Sequence, residues 1–163
     1  MDILKQVSNI GIVPVIAIDD ASKAVPQAKA LAAGGLPAAE VTFRTAAAED
    51  AIRAIVQEVP EMLVGAGTVI TTEQAERAMA AGATFIVAPG YDPNVTQHVI
   101  SKGGIMVPGT STAGEIQQAM NQGCEVVKFF PAEANGGVAM LKNIGAALKG
   151  CRWMCTGGVN SKN

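Results

Sequence analysis

Residues 63–88, LVGAGTVITTEQAERAMAAGATFIVA, read as one complete strand-helix-strand unit. Leu63 to Val69 is a short apolar run fit for a buried strand. Thr71-Thr72-Glu73-Gln74 supplies a hydroxyl with a Gln three residues later, the spacing of a capping box. Glu73 to Ala81 then carries helical periodicity, and Gly82 stands where a glycine in the left-handed conformation ends a helix. Phe85 to Ala88 begins the next strand. A strand, a capped helix, a glycine stop and a second strand in so short a stretch predict parallel strands joined by a helical crossover.

The same unit recurs in both directions. Strands are expected at Val13 to Ile18, Ala39 to Arg44, Ile105 to Pro108, Val126 to Phe130 and Arg152 to Thr156 as well, with starts roughly 20 to 26 residues apart. Alanine-rich helical segments lie between them, at Lys23 to Ala33, Ala47 to Val59, Gly114 to Asn121 and Val138 to Leu148. Gly34-Gly35, Gly103-Gly104, Gly123 and Gly150 repeat the stop, and Thr112-Ala113-Gly114-Glu115 repeats the capping box. Two architectures fit: a closed (β/α)8 TIM barrel and an open doubly wound sheet. The open sheet normally carries a glycine-rich phosphate loop after its first strand, and Ile16-Ala17-Ile18-Asp19-Asp20-Ala21 has none, so the barrel is favoured. Seven strands can be counted. At this pitch an eighth unit would end near residue ~200, and Gly157-Gly158-Val159-Asn160-Ser161 announces another helix. The expectation is a single TIM-barrel domain over residues 1–163, truncated after strand seven and lacking the last helix-strand-helix.

Composition narrows the function. The chain has 163 residues, is 49% hydrophobic and carries a net charge of -2, enough apolar mass for one sizeable core. Its 12 basic residues form no stripe that would track a phosphate backbone, so no nucleic-acid partner is expected. No apolar run approaches the roughly 18 residues of a membrane span, and the charges in Met1-Asp2-Ile3-Leu4-Lys5 break any secretory core, so a cytoplasmic setting without membrane contact is expected. Cys124, Cys151 and Cys155 read as reduced structural thiols. The single His98 reads as a helix surface residue, and with so few imidazole and thiolate ligands no metal and no cofactor are expected.

Chemistry is suggested by Glu125-Val126-Val127-Lys128-Phe129-Phe130-Pro131, which puts a cation inside an apolar strand. Such a lysine can lie on a sheet edge or extend out of the strand end. Held in a water-poor site, its ammonium form is disfavoured and the neutral amine becomes a nucleophile toward carbonyls, which points to Schiff-base formation. In Ala39-Glu40-Val41-Thr42-Phe43-Arg44, period two puts Glu40, Thr42 and Arg44 on one face and Val41 and Phe43 on the other. The apolar pair then faces the helices and the polar trio points into the barrel, where Glu40 and Arg44 must be paired or used. If Val126, Lys128 and Phe130 share an inward face of their own strand, Glu40 can meet Lys128, either as an ion pair that merely closes the core or as a working group. Gly65-Ala66-Gly67-Thr68 lacks the third glycine of a dinucleotide fingerprint. Its glycines are read as allowing close approach to a ligand, with barrel packing equally open for Gly65, and Thr68 as supplying a hydroxyl and a backbone N–H. Thr156-Gly157-Gly158 forms a turn whose N–H groups suit an anion.

Assembled, these segments resemble the KDPG/KHG aldolase family, the class I aldolases of 2-keto-3-deoxy-6-phosphogluconate. The likeness rests on Val13-Pro14-Val15-Ile16, Glu40 to Thr45, Val64 to Val69, Pro89-Gly90, Val107-Pro108-Gly109, Lys128 to Gly137 and Thr156 to Val159, and so covers nearly the whole chain. The resemblance implies that Lys128 is the Schiff-base lysine and Glu40 the general acid/base. It further implies that Arg44 and Thr68 hold the pyruvyl carboxylate and that Pro89 and Phe130 line the pocket. Thr156, Gly157 and Gly158 would receive the substrate's phosphate end. It implies a 2-keto acid phosphate substrate, a homotrimer, a place in the Entner-Doudoroff pathway and no metal or cofactor. The galactonate epimer and 4-hydroxy-2-oxoglutarate stand beside the gluconate as substrates. Two other readings stay open: a phosphosugar isomerase or epimerase using Lys128 as proton donor, which would form no adduct with pyruvate, and a non-catalytic truncated barrel acting as an assembly subunit.

Overall fold

The computed structural model describes residues 2–163. Strands β1 (Val15–Ile16), β2 (Ala38–Thr42), β3 (Leu63–Gly67), β4 (Phe85–Val87), β5 (Met106–Val107), β6 (Gly109–Thr110), β7 (Val126–Phe129) and β8 (Arg152–Cys155) alternate with helices. These are α1 (Ile3–Ile10), α2 (Ala24–Ala33), α3 (Ala48–Glu58), α4 (Thr72–Ala80), α5 (Pro93–Ser101), α6 (Ala113–Asn121) and α7 (Gly137–Ala147). Each strand pairs in parallel with its neighbour in sequence, β1 to β5 in one ladder and β6 to β8 in a second. β5 and β6 are two halves of the expected fifth strand, parted at Pro108, which has no N–H to give to a ladder. Its carbonyl still accepts from Lys128 N at 2.8 Å, so the wall continues across the break. The architecture is the expected barrel type, seven parallel strands in chain order.

Side chains alternate between two layers, as period two requires. Val41, Val64, Ala66, Ile86 and Val127 face outward into the main core under the helices. Phe85, Val87, Val107 and Val126 face inward and pack with Val7 of α1, whose Ile3 and Leu4 close the same cluster. Helix α1, flanked by an Asp2 cap and a Gly11 stop at φ 80°, is therefore a plug against the interior layer.

Most punctuation is where the sequence places it. Gly35, Gly82, Gly103, Gly123 and Gly150 all adopt φ between 76° and 97°. Thr112 and Glu115 form the full capping box. At α4 only half of it forms: Thr71 accepts from Gln74 N, but the Gln74 side chain accepts from Ile70 N instead. Three expectations need correction. Helix α1 is missing from the predicted helical segments although Ile3, Leu4 and Val7 share one face, and α5, the helix expected to carry His98, is started by Asp92 and Pro93. The first strand shrinks to Val15–Ile16, since only these residues keep register with β2. Residues 156–163 form bends and a turn where the sequence predicts the start of a helix, with Gly157 and Gly158 both at positive φ. The three cysteines are free, and burial raises the Cys124 thiol to about 11, which makes it an inert core group. His98 lies on α5 and meets Glu76 at 2.9 Å on the outer surface. Among the described residues no helix is long and apolar enough to cross a membrane.

Candidate active site

The register of the strands brings Lys128 and Glu40 together across the interior. Lys128 sits opposite Gly109 and Met154, and Glu40 opposite Val15 and Gly65. Both point inward because Val127, Val41 and Ala39 take the outward positions. Lys128 Nζ lies 3.4 Å from Glu40 Oε1, with Lys128 5% and Glu40 1% exposed. The second oxygen, Glu40 Oε2, is buried and has no protein partner. Burial raises the Glu40 carboxyl above its ordinary value, opposed by the Lys128 charge and hydrogen bond and, more weakly, by Arg44. The pair is close enough to exchange a proton and leaves an acceptor oxygen free.

Glycines on β3 make this packing possible. A Cβ on Gly67 would fall inside the Glu40 carboxylate, and one on Gly65 inside the Phe85 ring. The sequence reading of Gly67 as room for a ligand is thus corrected, and for Gly65 the packing alternative holds: the space is taken by the chain's own side chains, Glu40 and Phe85. Large groups on β2 and β4 lean over the small residues of the strand between them.

The remaining residues gather around the C-terminal ends of the strands. The Phe130 ring centroid is 5.1 Å from Lys128 Nζ, a cation-π distance. Arg44 stands beyond the end of β2, exposed, and its Nε donates to Thr42 Oγ1 at 3.1 Å, while Thr42 donates to the Ile16 carbonyl. Arg44 is thus tied to the wall of the site and does not pair with Glu40. Thr68 takes φ 56°, a strained conformation for a β-branched residue, immediately after β3. Pro89 packs backbone against backbone on Gly109, where no Cβ would fit. After β8, Thr156 N donates to the Phe129 carbonyl and Thr156 O accepts from Ala132 N at 2.8 Å. Among the described residues the N–H groups of Gly157 and Gly158 donate to nothing, and both glycines have positive φ, 96° and 80°. They form an exposed pair of donors able to face an anion.

A groove of about 620 Å³ runs between β1 and β8, lined by Val13, Val15, Glu40, Met154 and Thr156 to Gly158 among others. It joins Glu40 to the glycine turn. Lys128, Arg44, Thr68, Pro89 and Phe130 do not line it. The groove is the seam between strands that are not hydrogen-bonded to each other, and the reactive pair lies beside it. Sequence reasoning gave no role to Ser111, whose Oγ donates to the Phe130 carbonyl at 2.8 Å, and none individually to Asn135, which donates to Ser111 Oγ at 2.9 Å. The available signal was a hydroxyl placed just past a strand end.

A parallel β/α barrel with a buried amine and carboxylate 3.4 Å apart at its centre is an arrangement suited to enzymes that act on carbonyl compounds. Comparison with known proteins makes the assignment particular. Residues 3–163 match the family described as KDPG and KHG aldolase. The chain is 44% identical over 161 residues to the 2-dehydro-3-deoxy-phosphogluconate aldolase of Treponema pallidum, covering 99% of this chain and 77% of that one. It is 45% identical over 152 residues to the KHG/KDPG aldolase of Escherichia coli K12, covering 93% and 71%. The structure of the Legionella pneumophila KDPG aldolase, with pyruvate captured as a covalent carbinolamine, superposes with a TM-score of 0.89 at 39% identity, covering 93% of this chain and 73% of that one. The chain belongs to the KDPG and KHG aldolase family and is a lyase of the aldolase type.

Proposed function

We propose that this chain cleaves 2-dehydro-3-deoxy-6-phosphogluconate to pyruvate and glyceraldehyde 3-phosphate, with 4-hydroxy-2-oxoglutarate, cleaved to pyruvate and glyoxylate, as a second substrate. The observation that carries the reading is the buried Lys128–Glu40 pair at 3.4 Å. Proton transfer from the ammonium to the carboxylate leaves a neutral amine beside a neutral acid. The amine adds to the C2 carbonyl, and loss of water gives a protonated imine. Glu40, ionised again, takes the proton of the C4 hydroxyl. The C3–C4 electrons flow into the imine, C4 leaves as the aldehyde, and an enamine remains. Glu40 returns its proton to C3, and water hydrolyses the imine to pyruvate and free Lys128.

The other residues divide the substrate between them. Arg44, fixed by Thr42, presents its guanidinium fork to the C1 carboxylate, and Thr68 adds a hydroxyl. Phe130 and Pro89 shape the apolar wall. Thr156, Gly157 and Gly158 receive the distal phosphate through the two free N–H groups. A homotrimeric assembly, a cytoplasmic setting and service in the Entner-Doudoroff pathway complete the proposal, as the family resemblance implies.

The test is incubation with pyruvate and borohydride, followed by intact and peptide mass analysis. Reduced adduct on Lys128 supports the imine route. A folded sample with no adduct, or one modified elsewhere, overturns it in favour of proton-transfer chemistry or an inert barrel.

A further inference from the structure

The Phe130 ring lies against the Lys128 amine, and Phe130 itself is the first residue past the end of β7. Its backbone is held by two bonds, one from the last residue of β6 and one from the loop after it. Phe130 N donates to the Thr110 carbonyl at 3.2 Å, and the Phe130 carbonyl accepts from Ser111 Oγ at 2.8 Å. The Ser111 hydroxyl has a single proton, and its direction is settled because Asn135 Nδ2 donates to the same oxygen at 2.9 Å. Ser111 is held in turn by its own N–H, which donates to Glu115 Oε2 at 2.9 Å within the cap of α6. Asn135 closes the circuit, its backbone N–H donating to the Pro131 carbonyl at 3.0 Å. The chain Glu115, Ser111, Phe130, Asn135 is half-buried and touches neither Lys128 nor Glu40 except through the Phe130 ring.

We infer that Ser111 and Asn135 are positioning residues that set the Phe130 ring against the Lys128 amine, coupling the loop after β6 to the loop after β7. The ring blocks one face of the amine and so fixes the side from which a carbonyl carbon approaches. Small errors in such placement are costly, because the attacking nitrogen must meet the carbon along a narrow path. The inference rests on the proposed role of Lys128 as the nucleophile, and its test separates the two.

The experiment measures the rate of Lys128 adduct formation with pyruvate under borohydride, together with KM and kcat for cleavage and the melting temperature, for wild type, Ser111→Ala, Ser111→Thr, Asn135→Ala, Phe130→Leu and the Ser111→Ala/Phe130→Leu double variant. No Lys128 adduct in wild type overturns the nucleophile assignment itself. Given an adduct, Ser111→Ala should slow its formation roughly tenfold with little change in KM, Ser111→Thr should restore it, and Asn135→Ala should slow it about threefold. In the Phe130→Leu background Ser111→Ala should add almost nothing, since the ring through which it acts is gone. A wild-type rate in Ser111→Ala, or an equal slowing with and without the ring, overturns the inference. Should Ser111→Ala fail to fold, Asn135→Ala decides: an unchanged rate in that variant overturns it.

Discussion

Strands β2 and β8 are both short parallel strands of one wall, yet all five residues of β2 are buried while Arg152 and Cys155 of β8 are exposed. β2 is paired on both sides, with β1 and β3, and lies under α2 and α3; β8 pairs with β7 alone. Enclosure decides what a polar residue can do. Glu40 on β2 is 1% exposed and meets only the groove between β1 and β8, and its charge is met by Lys128 on β7, another strand buried along its whole length. The glycine turn after β8 keeps its N–H groups free at the surface. The site thus joins a rigid half, where bonds would be made and broken, to a more open half suited to the charged end of a substrate.

The strongest way to break this division is Lys128→Met. It removes the amine from the enclosed half, and both pyruvate trapping and cleavage should fall by roughly 10⁴-fold or more. Residual turnover near the wild-type level would place the chemistry elsewhere. Glu40→Gln should lower kcat about 10² to 10⁴-fold while a trapped adduct can still form, because the amine remains and only the proton acceptor is lost. The same variant tests enclosure through pH. Burial lifts the Glu40 carboxyl above its ordinary 4.5, so the folded chain holds that proton more tightly than the unfolded chain does. Its contribution to stability is fully present below that ordinary value and is lost as pH rises through the raised one. The unfolding free energy of wild type relative to Glu40→Gln should therefore decline as pH climbs from 4.5. A difference that stays flat across that window would mean that the carboxyl is not desolvated.

Gly67→Ala sharpens the comparison. Its Cβ would occupy the place of the Glu40 carboxylate, so the variant should lose about 1 to 3 kcal/mol of stability and roughly ten- to a hundredfold in kcat. Equal activity in Gly67→Ala would show that Glu40 need not sit where it does. The smallest effect is in dynamics. Amides of β8 should exchange with solvent faster than those of β2, because local opening needs only one ladder to break. Equal protection would remove the contrast between the two halves.

How much of this could be read beforehand depends on how far apart the interacting residues lie. The strand-helix alternation, the glycine stops and the inward face of Glu40 are set by local period and backbone preference, and all were legible. Helix α5 was legible only as the helix under His98, its start marked by Asp92-Pro93 alone. Gly67 was misread, and Gly65 left open between ligand and packing, because a glycine announces that something approaches closely without saying what; the answer lay on β2 and β4. Ser111 and Asn135 stayed hidden for a similar reason, being 24 residues apart and joined by a side-chain hydrogen bond that no sequence pattern displays.

The sequence by itself determined a parallel barrel-type fold and nominated Lys128 and Glu40, since periodicity sorts residues by face and a charge in an apolar strand demands a partner. Only the tertiary structure decided that the two, 88 positions apart in sequence, meet at 3.4 Å, that Arg44 leans on Thr42 rather than on Glu40, and that one carboxylate oxygen is left without a protein partner. Those outcomes depend on strand register and on which small residue makes room for which large one. They are properties of packed neighbours and exist only once the chain has closed on itself.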